Sequence, residues 1–203
     1  MSGGDEIVLI GPSMCDDTRN FREGLLKRAW QILISSGDVA NMHLVVGLSL
    51  DLFRKALSCY QNGAFMASIL ICGVALETLL YDLVSAVKGG VKCERGHVWS
   101  IEPDYDIYEK GFGYIIGEAR RLGLLDGGLE NEINRLRNLR NIVAHYAQRR
   151  WKQVLSQPKQ GIEHSPSILR GGWANDGDAY KVLENTASIM KDLIEKARIV
   201  LCR

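Results

Sequence analysis

The sequence predicts an all-α protein, an antiparallel helical bundle of about five to six helices. Three observations predict it. Apolar residues return at i, i+3 and i+4 in one segment after another; the breaks between segments are marked by Gly, Asn, Ser and Pro; and no alternating strand pattern or internal repeat competes. With 203 residues, 46% hydrophobic and 24% charged, the chain can bury one sizeable core and is short for two.

Residues 1–19 hold one short apolar run, Ile7 to Ile10, among Gly, Ser, Pro and Asp, and read as an extended or disordered arm. Residues 20–203 read as a single bundle domain. Its first helix runs from Asn20 to Ile34, with Phe21, Leu25, Ala29, Ile32 and Leu33 on one face. A second spans 40–61, where Leu44, Leu48, Leu52 and Ala56 recur at every fourth position before the Gln61-Asn62-Gly63 break. The third, Phe65 to Val87, is apolar nearly all round, as a central helix must be, with Glu77 its main exception.

Lys88 to Asp106 contains Gly89, Gly90, Gly96 and Pro103 and reads as a long loop. A fourth helix, Ile107 to Leu122, ends at a Gly123 C-cap and the turn to Gly128. The fifth, Leu129 to Arg149, carries the stripe Ile133, Leu136, Leu139, Val143 and Tyr146. A second loop at 156–176, with Pro158, Gly161 and Pro166, precedes the last helix, Asp178 to Leu201, which is expected to bury Val182, Leu183, Ala187, Met190, Leu193, Ile194 and Ala197.

The formal net charge is +1, so the overall field neither demands nor forbids a polyanionic partner, and local charge must decide. Five cysteines, widely spaced and without a CxxC, read as reduced thiols of a cytoplasmic protein. Ala56 to Leu76 is uncharged, but Ser58, Gln61, Asn62 and Gly63 interrupt it short of the ~20 apolar residues of a membrane span. No phosphate-loop glycine pattern is present, and no cofactor is called for.

The chemistry is expected on the fifth helix. Arg137, Asn141 and His145 fall at successive i, i+4 positions and therefore stack on one face. Arg140 lies beside that face with a side chain long enough to swing toward the imidazole. No Ser, Cys or acid accompanies the histidine at fixed spacing, so the set has no nucleophile of its own. It suits a substrate that attacks itself: RNA carries an adjacent 2′-hydroxyl, a histidine near neutrality can take or give the proton, and arginine can stabilise charge on the pentacoordinate phosphorus. Asn141 could orient the scissile phosphate or the imidazole.

The run Arg140-Asn141-Ile142-Val143-Ala144-His145 resembles the Arg-x4-6-His motif of the HEPN (higher eukaryotes and prokaryotes nucleotide-binding) superfamily, with its polar residue after the arginine. The resemblance extends loosely over roughly Val39 to Arg203. It implies a metal-independent endoribonuclease in which two protomers bring their motifs together, often as a toxin or antiviral effector, with RNA as substrate and an antitoxin or regulatory protein as a further partner. The subgroup paired with nucleotidyltransferases has a tyrosine two residues after the histidine; here Tyr146 follows His145 immediately.

Other readings stand beside this one. His145 could simply favour the dipole and carbonyls near a helix C-terminus, and Arg140 could pair with Glu77 inside the bundle. Glu77, nearly alone as a charge in its segment, needs a cationic or hydrogen-bonding partner, and orienting an arginine is favoured over catalysis. Arg135, Arg137, Arg149, Arg150 and Lys152 could steer phosphates or form a solvated face. Cys93 and His97, with Cys15 and His164, are too dispersed to propose zinc. The rivals to a nuclease are an inert HEPN module that binds RNA or a protein, and a structural dimerisation bundle.

Overall fold

A computed structural model describes residues 16–35, 37–156 and 176–203, without the side chains of 16, 17, 19 and 146–156. Among them are seven α-helices and one two-stranded hairpin: α1 (Asp16–Ile34), α2 (Asp38–Asn41), α3 (His43–Gln61), α4 (Phe65–Gly89), β1 (Val91–Glu94), β2 (His97–Ile101), α5 (Phe112–Arg121), α6 (Gly127–Ser156) and α7 (Asp176–Leu201). The prediction of a mostly helical bundle holds.

α4 is the centre. Its Ala75, Leu76, Leu79 and Leu80 are strong helix formers, and with Leu83 and Val84 they are almost fully buried. Each such leucine contributes about 1.5–3 kcal/mol of hydrophobic stabilisation. α4 packs against α3, α5, α6 and α7; it is long and apolar enough to cross a membrane, and these neighbours account for that composition. Polar groups on it are satisfied locally: Ser68 donates to the Ala56 carbonyl of α3 (2.9 Å) and Ser85 to that of Asp104 (2.8 Å). The start of α7 is fixed by Asp176, which accepts from Arg22 of α1 (3.0 Å) and from the Tyr60 hydroxyl of α3.

Several expectations need correction. The 88–106 loop is largely the hairpin, whose strands pair antiparallel from Val91↔Ile101 to Glu94↔His97. Its tight turn places Arg95 and Gly96 at positive φ, and so short a ribbon leaves little strand pattern to read. The cysteines are not all reduced thiols: Cys93 of β1 and Cys202 beyond α7 form a disulfide. Spatial proximity across 109 residues is invisible to spacing rules.

The helix expected over 107–122 begins only at Phe112, after a 3-10 turn at Tyr105–Glu109. Its end at the Gly123 turn holds, with φ +78° there. α1 starts at Asp16, so residues 16–19 are helical rather than part of an arm, and the rest of that arm lies outside the described residues. Met42 separates α2 from α3, dividing the helix expected over 40–61. α3 turns Val45, Val46, Leu50 and Phe53 inward while Leu44 and Leu48 are 55% and 62% exposed. The fourfold repeat starts on the exposed side at Leu44 and Leu48 and reaches the core through the partly buried Leu52 and the buried Ala56. α6 extends to Ser156, and most of the second expected loop, 157–175, lies outside the described residues. All seven α7 residues expected in the core are buried.

Candidate active site

α6 is capped by Asp126, just before its first residue, whose carboxylate accepts the Leu129 amide (2.9 Å) and is held by Lys196 of α7. Such a side-chain cap satisfies an orphan N–H at the first turn. From there Leu129, Ile133, Leu136 and Val143 are buried and orient the helix. The next residues around the cylinder carry the candidate chemistry.

Arg140 lies on the same side of α6 as the buried stripe, with its stem against Gly73 of α4. Its guanidinium pairs with Glu77 of α4 through Nη2 and donates from Nη1 to the Asn141 side-chain oxygen at 3.0 Å. Both charged side chains are about three-quarters covered, 26% exposed for Arg140 and 23% for Glu77. The sequence requirement that Glu77 have a cationic partner is met by this arginine. Arg140 Nε is buried without a hydrogen-bond partner among the described residues.

The approach depends on Gly73, one helical turn before Glu77. A Cβ there would lie 2.7 Å from Arg140 Cγ and 2.8 Å from its Cβ. These atoms belong to the stem of the side chain, which cannot swing aside as the guanidinium can. Sequence reasoning missed Gly73, although a glycine inside a long apolar helix costs roughly 0.5–1 kcal/mol relative to Ala and calls for a packing reason.

Asn141 is partly exposed and His145 exposed, so the imidazole faces solvent on the side away from the core stripe. Arg137 lies with its guanidinium 5.5 Å from the Phe112 ring centroid. That ring meets Tyr81 of α4 at 6.2 Å, and Tyr81 stacks on Tyr108 at 6.0 Å. Burial and the Glu77 charge raise the Tyr81 hydroxyl above its ordinary range. Tyr146, Arg149 and Arg150 belong to α6, but their side chains lie outside the described residues.

The structure therefore brings Gly73, Glu77, Arg140 and Asn141 into direct contact and sets His145 one turn beyond Asn141. Among the described residues no group of three or more His, Cys, Asp or Glu could hold a metal ion. Cys72, the buried free thiol, is pushed up to about 12 by burial, so it is no thiolate nucleophile. The arrangement can present an imidazole and an amide to solvent, with the amide oxygen tied to a guanidinium that Glu77 neutralises. Comparison with protein-family models, characterised proteins and solved structures finds no match to this chain.

Proposed function

We propose that the protein is a HEPN-type, metal-independent endoribonuclease, an antiparallel bundle with its Arg140 to His145 motif on the penultimate helix. The observation that carries this reading is the Glu77–Arg140–Asn141 chain of contacts at the foot of the solvent-facing His145. A proton-transfer group thus stands next to a polar residue whose orientation is held from the core. In the reaction the 2′-hydroxyl of one nucleotide attacks its own 3′-phosphorus as His145 accepts the proton. The P–O5′ bond breaks, and the departing O5′ receives a proton. The products are a 2′,3′-cyclic phosphate and a 5′-hydroxyl.

One chain offers one motif histidine, so the acid and the base come from two copies in a homodimer with the motifs facing across a two-fold axis. Arg140 and Asn141 stabilise and orient the phosphate; Arg137, Tyr146, Arg149 and Arg150 help to bind RNA, and Glu77 orients Arg140. A cytoplasmic defence or toxin role, with a regulatory partner protein, fits such an activity.

A specific observation favours a second reading. Arg140 directs its guanidinium to Glu77 and Asn141, which suits a positioning residue in an inert module that binds RNA or protein. Incubating wild type and His145→Ala with mixed RNA in EDTA separates the two. The nuclease reading expects cyclic-phosphate ends, a loss of roughly 10²-fold or more in the variant, and no cutting at 2′-deoxy positions. Equal cutting by a folded His145→Ala dimer, or none by wild type, refutes it.

A further inference from the structure

α6 and α7 diverge enough to leave a cleft of about 790 Å³ on the side of α6 adjoining the His145 face. This volume falls within the roughly 300–1,000 Å³ range of small-molecule sites. Its floor is apolar, from Ile69 of α4, Leu136 and Leu139 of α6 and Val182 of α7. Its walls carry amides: Asn131, Asn134 and Asn138 on α6, with Asn185 opposite on α7. Among the described residues none of these four side chains has a hydrogen-bond partner within the protein, so each offers both a donor and an acceptor.

The helical spacing connects this wall to the motif. Asn134, Asn138, Asn141 and His145 follow at intervals of four, three and four, a continuous polar ridge along α6. From Asn131 to Ile142 the cleft follows α6 for roughly 17 Å at ~1.5 Å per residue. Arg135 and Lys181 flank it, with no ion pair among the described residues, and Asp178 at the start of α7 is the one carboxylate in its lining. At the other end, a second hollow is lined by three carboxylates, Asp126, Glu132 and Asp192, against Arg135 and Lys196, the latter paired with Asp126. The cleft thus has two cations to one carboxylate and the hollow three carboxylates to two cations, so the balance of charge favours an anionic strand over the Arg135 and Lys181 stretch, on the side toward His145.

We propose that this cleft is a binding track for single-stranded RNA, with bases laid on the apolar floor, base edges met by the asparagine amides and phosphates by Arg135 and Lys181. Amide side chains pair with exposed base edges, and unpaired RNA is the form whose edges are exposed. The inference rests on the ribonuclease reading for its direction toward His145, but its binding chemistry is independent of cleavage.

The test uses the full chain and a short fluorescein-labelled 2′-O-methyl oligoribonucleotide, which lacks the attacking hydroxyl and stays intact. Fluorescence anisotropy is measured for wild type, the Asn134→Ala/Asn138→Ala double variant and Lys181→Ala, alongside melting curves and sedimentation. The positions are at the surface, so folding is retained. The expected result is about tenfold or more weaker binding by the amide variant with an unchanged salt slope, and a shallower salt slope for Lys181→Ala. Cleavage of ordinary RNA should lose efficiency through KM rather than kcat.

If wild type binds RNA and both variants match it within about twofold, the track is wrong, and the ribonuclease reading stands or falls separately on whether wild type cuts RNA. If wild type binds the probe and the variants lose it, but no preparation cuts RNA, the track stands and the nuclease reading falls. If wild type neither binds nor cuts, both fall. Loss of dimer in the amide variant would instead make the cleft a self-association face and overturn the proposal.

Discussion

Replacing Gly73 with alanine tests the packing on which the candidate site depends. The new methyl carbon would lie 2.7 and 2.8 Å from the first two side-chain carbons of Arg140, against ordinary contact of at least ~3.4 Å between carbons. Because those atoms move only with the α6 backbone or a change of the first rotamer, relief requires α4 and α6 to separate or Arg140 to leave Glu77. Overpacking of this kind costs typically about 1–3 kcal/mol. The helix-propensity gain of alanine over glycine offsets roughly 0.5–1 kcal/mol.

The net expectation for Gly73→Ala is therefore a destabilisation of up to about 2.5 kcal/mol, and a Tm lowered by up to roughly 10 °C at ~2–4 °C per kcal/mol for a domain of this size. Gly117 is the internal control: it lies within α5, and a Cβ there meets nothing within 4 Å. Gly117→Ala should gain the propensity term alone and raise Tm. Opposite signs are the signature, read by thermal and urea melts of the two variants side by side. On the proposed ribonuclease reading, RNA cleavage should fall in Gly73→Ala and persist in Gly117→Ala. In an Arg140→Ala background the Cγ contact is gone, so the cost of Gly73→Ala should shrink by at least about 0.5 kcal/mol. If Gly73→Ala stabilises as Gly117→Ala does, Arg140 does not cross α4 at this glycine and the site geometry is wrong.

Glu77→Gln should leave Arg140 charged, three-quarters covered and without its counter-ion, destabilising by about 1–3 kcal/mol, between the values of exposed and buried pairs; urea melts of this variant measure it, and an unchanged midpoint counts against the pair. Cys93→Ser opens a cross-link spanning 109 residues, whose loop-closure entropy sets an upper figure of about 5 kcal/mol. Its Tm should fall toward that of the reduced wild type, while thiol titration of unreduced, denatured wild type should leave two of the five cysteines unreactive; full reactivity would rule out the bond. Asp126 is held below the ordinary carboxylate value of 3.8, first by the Leu129 amide and then by Lys196. A lowered folded value means a contribution complete above about pH 4 and lost as pH falls through it. Wild-type Tm should drop on acidification in that window, and Asp126→Asn should flatten the drop; parallel curves would disprove the linkage.

The sequence by itself determined the helical class, the central place of the segment after Phe65, the α7 core residues and the stacking of Arg137, Asn141 and His145 on one helical face. All of these follow from the 3.6-residue period, a local property that each segment carries on its own. It also required a partner for Glu77, because an isolated carboxylate in an apolar segment is costly wherever the helix docks. Where the pattern was ambiguous it failed: α3 holds apolar residues on two adjacent faces, and only docking against α4 decided that Val46 and Phe53 enter the core while Leu44 and Leu48 face water.

Only the tertiary structure decided which arginine meets Glu77, that Gly73 makes room for it, that Cys93 lies beside Cys202, and that α6 and α7 part to form an asparagine-lined cleft. Each of these depends on the relative placement of elements far apart in the chain. Periodicity shows which face of a helix turns inward, but the partner that face meets is settled by the packing of all the helices at once.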